Sequence, residues 1–226
     1  MADRSIVFID GNNWYHGLKG RGISDYGRLD YRRICTKLLG PRTWVGLRYY
    51  VGRVNQEGNS ALYAGQRSYV AQLKAQDARI SVHFGRLEPR SVKSEAAREL
   101  LDYLSRLPRG VIPTETFRDL VALASRHRET RTYVEKAVDV MLAVDLVALA
   151  IHDEYDCAYL LSADGDYTPA VEQVCSLGKK VYAVAATSGH QLKSVCTAFV
   201  SLQPDWFQDC YMPNTSSAKP SAKARR

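Results

Sequence analysis

Strand-like and helix-like segments alternate along most of the chain, and this alternation restricts the fold more than any other feature of the sequence. Short, almost wholly apolar runs occur at residues 5–9, 157–161 and 181–185. A strand that is apolar on both faces is typical of a parallel sheet with helices packed on both sides. Helical stretches lie between these runs, for example at 31–39 and at 136–152. The sequence therefore predicts an α/β protein with a central, mostly parallel sheet and helices on both faces.

One segment departs from this alternation. Residues 88–135 separate a strand predicted to end at Phe84 from a helix predicted to begin at Lys136, and they contain no strand-like run. A structureless loop of this length is rare within a domain, and apolar residues at helical spacing predict two short helices joined near 108–110. We expect a helical insertion that either contacts the substrate or serves as a structural or oligomerisation element.

The charge of the chain permits a polyanionic partner without requiring one. Lys and Arg number 31 against 24 acidic residues, a formal net charge of +7. Four of these basic residues lie at 213–226, whose Ser, Ala, Pro and Lys content predicts a disordered tail after a single domain over 1–212. The five cysteines are scattered, which favours neither a disulfide framework nor a zinc knuckle. We interpret the chain as a cytoplasmic protein with no membrane segment.

Acidic residues directly follow two of the predicted strands. Asp10 follows the strand at 5–9, and Asp164 and Asp166 follow the strand at 157–161. If these strands are neighbours where the strand order reverses, their carboxylates converge at a ligand-binding edge of the sheet. Like charges in one place raise one another's pKa unless a cation neutralises them, and carboxylate oxygens suit Mg²⁺ or Mn²⁺. Any one of these aspartates is more simply a turn former, but together they predict a metal site.

Two further aspartates interrupt the helix predicted at 136–152, which is otherwise apolar on nearly all sides. Such a helix is expected to be buried, where an ionised carboxylate is costly unless it is paired or binds a metal. Asp139 and Asp145 are separated by about 9 Å of helical rise, so that one ion cannot easily bind both directly. Asp139 is the candidate direct ligand. Asp145 either binds a second metal ion or a water held by the metal, or it is a structural acid paired with an arginine.

Four other residues are candidates for contacting a substrate at the same edge. Arg53 and Arg86 follow the second and third predicted strands and could bind phosphate, although surface ion pairs are the commoner role of arginine. Lys136, at the start of the acidic helix, could bind a carboxylate or a phosphate. Asn13 could orient a metal-bound water, or it could simply occupy a left-handed turn position. No phosphate-binding glycine loop, dinucleotide fingerprint or activated nucleophile is visible.

Three sequence blocks carry a resemblance to a known family: FIDGNN at 8–13, EKAVDV at 135–140 and LLSADGDY at 160–167. They resemble the motif blocks of NYN domains, specifically the LabA-like (DUF88) branch of the PIN-like nuclease superfamily. The resemblance implies a Rossmann-like PIN fold with an acidic pocket and ribonuclease activity dependent on Mg²⁺ or Mn²⁺. It places the family's acidic positions on Asp10, Asp139, Asp164 and Asp166 and its amide on Asn13. The sequence departs from the family pattern in having Ala163 where glycine is usual and Trp14 where an aliphatic residue is usual.

The function predicted from these observations is metal-assisted hydrolysis of RNA phosphodiester bonds by an endoribonuclease. RNA as the substrate comes from the resemblance alone. One alternative is a metal-dependent phosphatase with the same acidic edge, although the segment 10–12 lacks the Asp-x-Asp pattern of one such class. The other is an RNA- or protein-binding module without turnover. None of these readings excludes a homo-oligomer.

Overall fold

The computed structural model describes residues 2–23, 25–54, 60–108, 110–187 and 190–213. The tail predicted at 213–226 lies outside these residues except for Pro213. The chain divides into two compact units, one formed by Met1–Arg86 with Ala137–Arg226 and the other by Leu87–Lys136.

Seven strands, eight α-helices and three short 3₁₀ helices account for the regular structure of the described residues. The strands are β1 (Arg4–Asp10), β2 (Thr43–Gly52), β3 (Ile80–Lys93), β4 (Glu129–Lys136), β5 (Cys157–Leu161), β6 (Lys180–Ala185) and β7 (Ala198–Ser201). The helices are α1 (Gly11–Gly20), α2 (Tyr31–Leu39), α3 (Ser60–Gln76), α4 (Glu95–Arg106), α5 (Thr114–Arg126), α6 (Val138–Ile151), α7 (Thr168–Ser176) and α8 (His190–Val195).

The strands form one sheet in the order β4-β3-β2-β1-β5-β6-β7. Every pairing from β3 across to β7 is parallel, so six strands run in the same direction. The chain builds β2 and β3 outward from one side of β1 and later builds β5, β6 and β7 outward from the other side. The strand order therefore reverses between β1 and β5, and this confirms the predicted neighbouring positions of these two strands.

The sheet is covered on both faces, as predicted. Along β1, Val7 and Ile9 belong to a core with α1 and α2, whereas Ile6 and Phe8 belong to a second core with α6 and α7. All four side chains are at most 5% exposed. Because both sets of alternating positions are apolar, the strand gains from burial on each face. The predicted α/β class with a central parallel sheet is therefore confirmed.

Helix α6 is not buried on all sides, which corrects the sequence prediction. Its buried residues recur at four-residue spacing, namely Val138, Leu142, Leu146 and Ala150. The opposite face is solvent-exposed, with Val140, Val144 and Ile151 between 58% and 65% exposed. A helix that is apolar all round gives no periodic signal for which face packs, so the sequence pattern overestimated its burial.

The segment predicted to be wholly helical also contains strands. Helices α4 and α5 form, and the Ser94 hydroxyl caps α4 by accepting a hydrogen bond from the Ala97 N–H at 3.2 Å. However, β3 continues to Lys93, and β4 precedes α6. The strand prediction failed because the second half of β3 is rich in charged and polar residues, which give no apolar run.

Two predicted positions change as a result. Arg86 lies within β3 rather than after it, and Lys136 is the last residue of β4 rather than the first of a helix. Ala137, between β4 and α6, has a left-handed backbone with φ of 70°. None of the helices in the described part of the chain combines the length and apolar character that a membrane crossing requires.

Candidate active site

The acidic residues lie at the carboxyl end of the sheet where the strand order reverses. Asp10 is the last residue of β1, and its neighbour β5 ends three residues before Asp164. Asp139 is in the first turn of α6, which packs on the same face of β1 as Phe8. In open parallel sheets this edge is the usual position for a ligand.

Asp10 is the most buried of these acids, at 3% exposure. Its Oδ1 caps α1 by accepting a hydrogen bond from the Asn13 N–H at 3.0 Å. Its Oδ2 accepts hydrogen bonds from the Ser162 hydroxyl at 3.3 Å and the Tyr167 hydroxyl at 3.1 Å. Burial raises the pKa of Asp10, and the negative charges of Asp139 and Asp164 raise it further, against the opposing effect of the Asn13 and Tyr167 hydrogen bonds. The surroundings of Asp10 therefore disfavour its ionised form.

Tyr167 connects Asp10 to Asp139. Its hydroxyl lies 3.1 Å from Asp10 Oδ2 and 3.1 Å from Asp139 Oδ1, so these carboxylate oxygens are no more than twice that distance apart. Burial raises the pKa of Tyr167 well above its ordinary range, which keeps the hydroxyl protonated. Because it carries a single proton, it can donate to only one of the two carboxylates at a time.

Asp139 itself is exposed, not buried as its helix had suggested.

Asp164 caps a short 3₁₀ turn, Gly165–Tyr167, and Asp166 lies within that turn. Asp164 Oδ1 accepts a hydrogen bond from the Asp166 N–H at 3.0 Å, and the Asp164 N–H donates to the Ser162 hydroxyl at 3.1 Å. Asp164 is half-buried and Asp166 is exposed. The turn thus fixes Asp164 through the same serine that contacts Asp10.

Asn13 joins the two loops that carry the acids. Its side-chain Oδ1 accepts a hydrogen bond from the Ala163 N–H at 2.9 Å, while its own N–H binds Asp10. Asn13 is in α1 with a helical backbone, so the left-handed turn alternative is wrong. The amide therefore positions the loop after β5 against the start of α1.

Asp145 lies in a different environment from the other acids. Its Oδ2 accepts hydrogen bonds from Arg48 Nη1 and from the Tyr50 hydroxyl, both at 2.7 Å. The Tyr50 ring stacks on His83 with the ring centroids 4.8 Å apart. Of the two alternatives for Asp145, this arrangement favours an acid paired with an arginine, because Arg48 of β2 already neutralises its carboxylate.

The basic candidates are less closely tied to the acids. Arg53 directly follows β2, is exposed, and places its guanidinium 5.0 Å from the centre of the Phe84 ring. Arg86 and Lys136 are also exposed. Within the described residues, no hydrogen bond or ion pair joins Arg53 or Arg86 to Asp10, Asp139 or Asp164, and their contact with a substrate stays a prediction.

Sequence reasoning missed Ser162 and Tyr167. Both lie within the motif block at 160–167, and the signal that could have found them is their position beside the acids. A buried tyrosine is usually a core residue whose hydroxyl finds some partner. Only the fold shows that the partners of Tyr167 are two acids from different elements.

The donor set suits a hard divalent cation in kind. Among the described residues, no three His, Cys, Asp or Glu side chains form a ready metal cage. Mg²⁺ needs less, because it commonly binds through one or two carboxylates and keeps several waters. Asp10 and Asp139 supply such oxygens, and a cation would relieve the repulsion that adds to the effect of burial in raising the pKa of Asp10.

The reversed strand order and the acids gathered at it define an α/β domain with an acidic candidate ligand site at its switch point. The sequence matches the NYN domain model over residues 4–203, and the chain therefore belongs to this family within the PIN-like nuclease superfamily. NYN domains are generally nucleases that act on RNA, and they typically use divalent metals.

A solved structure of a protein of unknown function from Vibrio parahaemolyticus has a similar fold. The two are 16% identical with a TM-score of 0.52, over 90% of this chain and 95% of the other. At this identity the likeness supports the fold alone. No curated protein matches the sequence.

Proposed function

We propose that this protein is an endoribonuclease of the LabA-like branch that hydrolyses RNA phosphodiester bonds with Mg²⁺ or Mn²⁺. The observation that supports this most is the meeting of Asp10 and Asp139 on one tyrosine hydroxyl at the reversal of strand order. The proposed nuclease domain spans residues 1–212, with 88–135 as its insertion. The five free cysteines suit the reducing, cytoplasmic location that we also propose.

Asp10 and Asp139 are the proposed direct metal ligands, and Asp164 beside them would bind the same ion directly or through a water that the ion holds. A divalent ion held there would activate a water for attack on phosphorus and stabilise charge on the phosphate oxygens. Asp166, which is exposed beside this group, would orient a water or bind a second ion. Asp145 is left out of the ligand set, because Arg48 already neutralises it.

The rest of the site would position these acids and the RNA. Tyr167 and Ser162 donate hydrogen bonds to Asp10 and so fix its Oδ2. Asn13 holds the loop after β5 in place through the Ala163 N–H. Arg53, Arg86 and Lys136 would contact the RNA backbone without reading its sequence.

The proposal is tested with labelled RNA and a chromogenic phosphate monoester, each with Mn²⁺ or with EDTA. We expect cleavage of RNA that requires the metal and that falls at least about 100-fold in Asp164→Asn, because charge stabilisation at the phosphate is lost. Asp205→Asn is the matched control, since Asp205 is an exposed aspartate on a short helix after β7. Turnover of the monoester alone would indicate a phosphatase. RNA binding without turnover, indifferent to EDTA and to Asp164→Asn, would indicate a binding module.

Tyr167→Phe is expected to destabilise the protein mainly in the absence of metal. Removing the hydroxyl leaves two neighbouring carboxylates without their shared donor, at a cost of about 1–3 kcal/mol. A bound Mg²⁺ would neutralise the same carboxylates, so the loss should shrink when the ion is added. Thermal unfolding with EDTA and with Mg²⁺ measures this difference. An equal loss under both conditions would show that Tyr167 acts only through packing.

A further inference from the structure

An open pocket lies beside Asp166, between the start of α7 and helix α8. Its volume is about 560 Å³, which is within the usual range for small-molecule sites. The residues of its wall that matter here are Asp166, Thr168, Glu172, Gln191, Ser194 and Val195. Of its lining residues, Gly165 and Asp166 belong to a motif block, and the motif blocks and the proposed direct metal ligands account for none of the others.

Gln191 brings an amide to the turn that carries two of the acids. Its side chain lies directly over Gly165, the residue between Asp164 and Asp166, and a methyl group on Gly165 would overlap Gln191 Oε1. Gln191 is exposed, and its amide makes no hydrogen bond to another residue of the described ranges. The lack of a side chain at Gly165 therefore lets the Gln191 amide lie beside the acidic turn, with its oxygen against Gly165 and its NH₂ group as the donor for a ligand.

The charge of the pocket decides which part of an RNA it accepts. Asp166 and Glu172 both line it, and no basic residue does. Two carboxylates repel a phosphate, so the neutral base and ribose are the parts that fit. Carboxylates accept hydrogen bonds from the amino groups of cytosine, adenine and guanine. Uracil has no amino group, and its one donor on the base edge, N3–H, lies between two carbonyl oxygens that a carboxylate repels. None of the lining residues is aromatic, so recognition would use the edge of the base rather than stacking on its face.

We infer that this pocket is the subsite for the nucleoside beside the scissile phosphate, and that Gln191 and Glu172 select a base with an amino group there. The inference rests on the proposed function, because it is the nuclease reaction that places a phosphate at the aspartates. Gln191 and Glu172 are specificity residues in this arrangement and take no part in the chemistry of the acids.

The test uses short fluorescent RNAs of uridine that carry one internal cytidine, adenosine or guanosine, together with the all-uridine strand. Binding is measured by fluorescence anisotropy in EDTA, and cleavage with Mn²⁺ gives kcat, KM and the cleaved position. We expect cleavage next to the amino-bearing base. Gln191→Ala should raise KM about 5- to 10-fold with little change in kcat, as expected for one lost hydrogen bond to a bound base. Glu172→Gln should reduce the preference over uridine.

Gln173→Ala is the matched control, because Gln173 is an exposed glutamine of α7 that does not line the pocket. Equal behaviour of the Gln191 and Gln173 variants would overturn the inference. A fall in kcat and in melting temperature for Gln191→Ala, with KM and base preference unchanged, would also overturn it, since Gln191 would then only support the acidic turn. If the wild-type protein cleaves none of the RNAs, the proposed function fails, and the subsite is then tested by the binding measurements alone. Base-dependent binding that is lost in Gln191→Ala would support the subsite, and binding independent of the base would refute it.

Discussion

Asp10→Asn is expected to abolish RNA cleavage and to raise the thermal stability of the metal-free protein at neutral pH. The loss of a metal ligand should lower kcat by about 10²- to 10³-fold or more. The gain in stability follows because burial and the neighbouring acids penalise the ionised form of Asp10. Asparagine removes that charge and keeps an oxygen that can cap α1. We expect a gain of about 1 kcal/mol, or roughly 2–4 °C for a chain of this size.

The direction of the expected stability change, and the pH range in which it occurs, follow from the raised pKa of Asp10. The folded protein raises the pKa of Asp10 above its ordinary value of 3.8. Below that value both states are protonated, and the favourable contribution of protonated Asp10 to folding is fully present. Between the two pKa values the unfolded chain has released its proton while the folded protein still holds it, so this contribution declines. It is lost once the pH has risen through the raised pKa. The stability difference between wild type and Asp10→Asn should therefore open above about pH 4 and reach its full size once the folded carboxyl ionises.

Thermal unfolding in EDTA across this pH range measures the effect. Asp139→Asn is an informative comparison, because Asp139 is exposed and should lose activity without a comparable gain in stability. Addition of Mg²⁺ should stabilise the wild type more than either variant. An Asp10→Asn protein that melts below the wild type at every pH would show that the carboxylate is needed for folding rather than for a metal.

Gly11→Ala is expected to be strongly destabilising. A Cβ at Gly11 would lie 2.6 Å from Tyr49 Cε1 and 2.7 Å from the Tyr50 carbonyl oxygen. The carbonyl belongs to the backbone of β2, which cannot move aside as a side chain can. The start of α1 must therefore shift away from the sheet, at a cost of about 1–3 kcal/mol. Because Asp10 caps this helix, cleavage should fall by more than the loss of folded protein explains.

Gly20→Ala is the matched control for this change, since Gly20 is in the same helix and nothing lies within 4 Å of its added Cβ. We expect the control to be neutral or slightly stabilising. The urea midpoints of the two variants give the comparison. Equal midpoints would contradict this prediction, because they would show that the start of α1 moves away from β2 at little cost in stability.

The sequence was sufficient where a signal was local. Asp10 and Asp164 follow apolar strands directly, so their position at one edge of a parallel sheet could be predicted before the strand order was known. Asp145 could not be assigned in this way, because its partner Arg48 lies 97 residues away in the chain. Sequence spacing alone left its two roles equally open.

Other features required the fold for different physical reasons. The second half of β3 is polar and so resembles a loop, although the backbone hydrogen bonds of a strand do not depend on the side chains. Gln191 belongs to no motif block, and its position over Gly165 arises from the packing of α8 against the turn after β5. Tertiary contacts of this kind leave no periodic pattern in the sequence.

The two oxygens of Asp10 bind different parts of the protein, since Oδ1 holds the first turn of α1 and Oδ2 faces Ser162 and Tyr167. Helix initiation and the acidic pocket consequently share a single side chain of fixed length. A glutamate here could not keep both sets of hydrogen bonds, because its extra methylene moves both oxygens away from the end of the strand together. The requirement at this position is therefore for the reach of aspartate as much as for its charge.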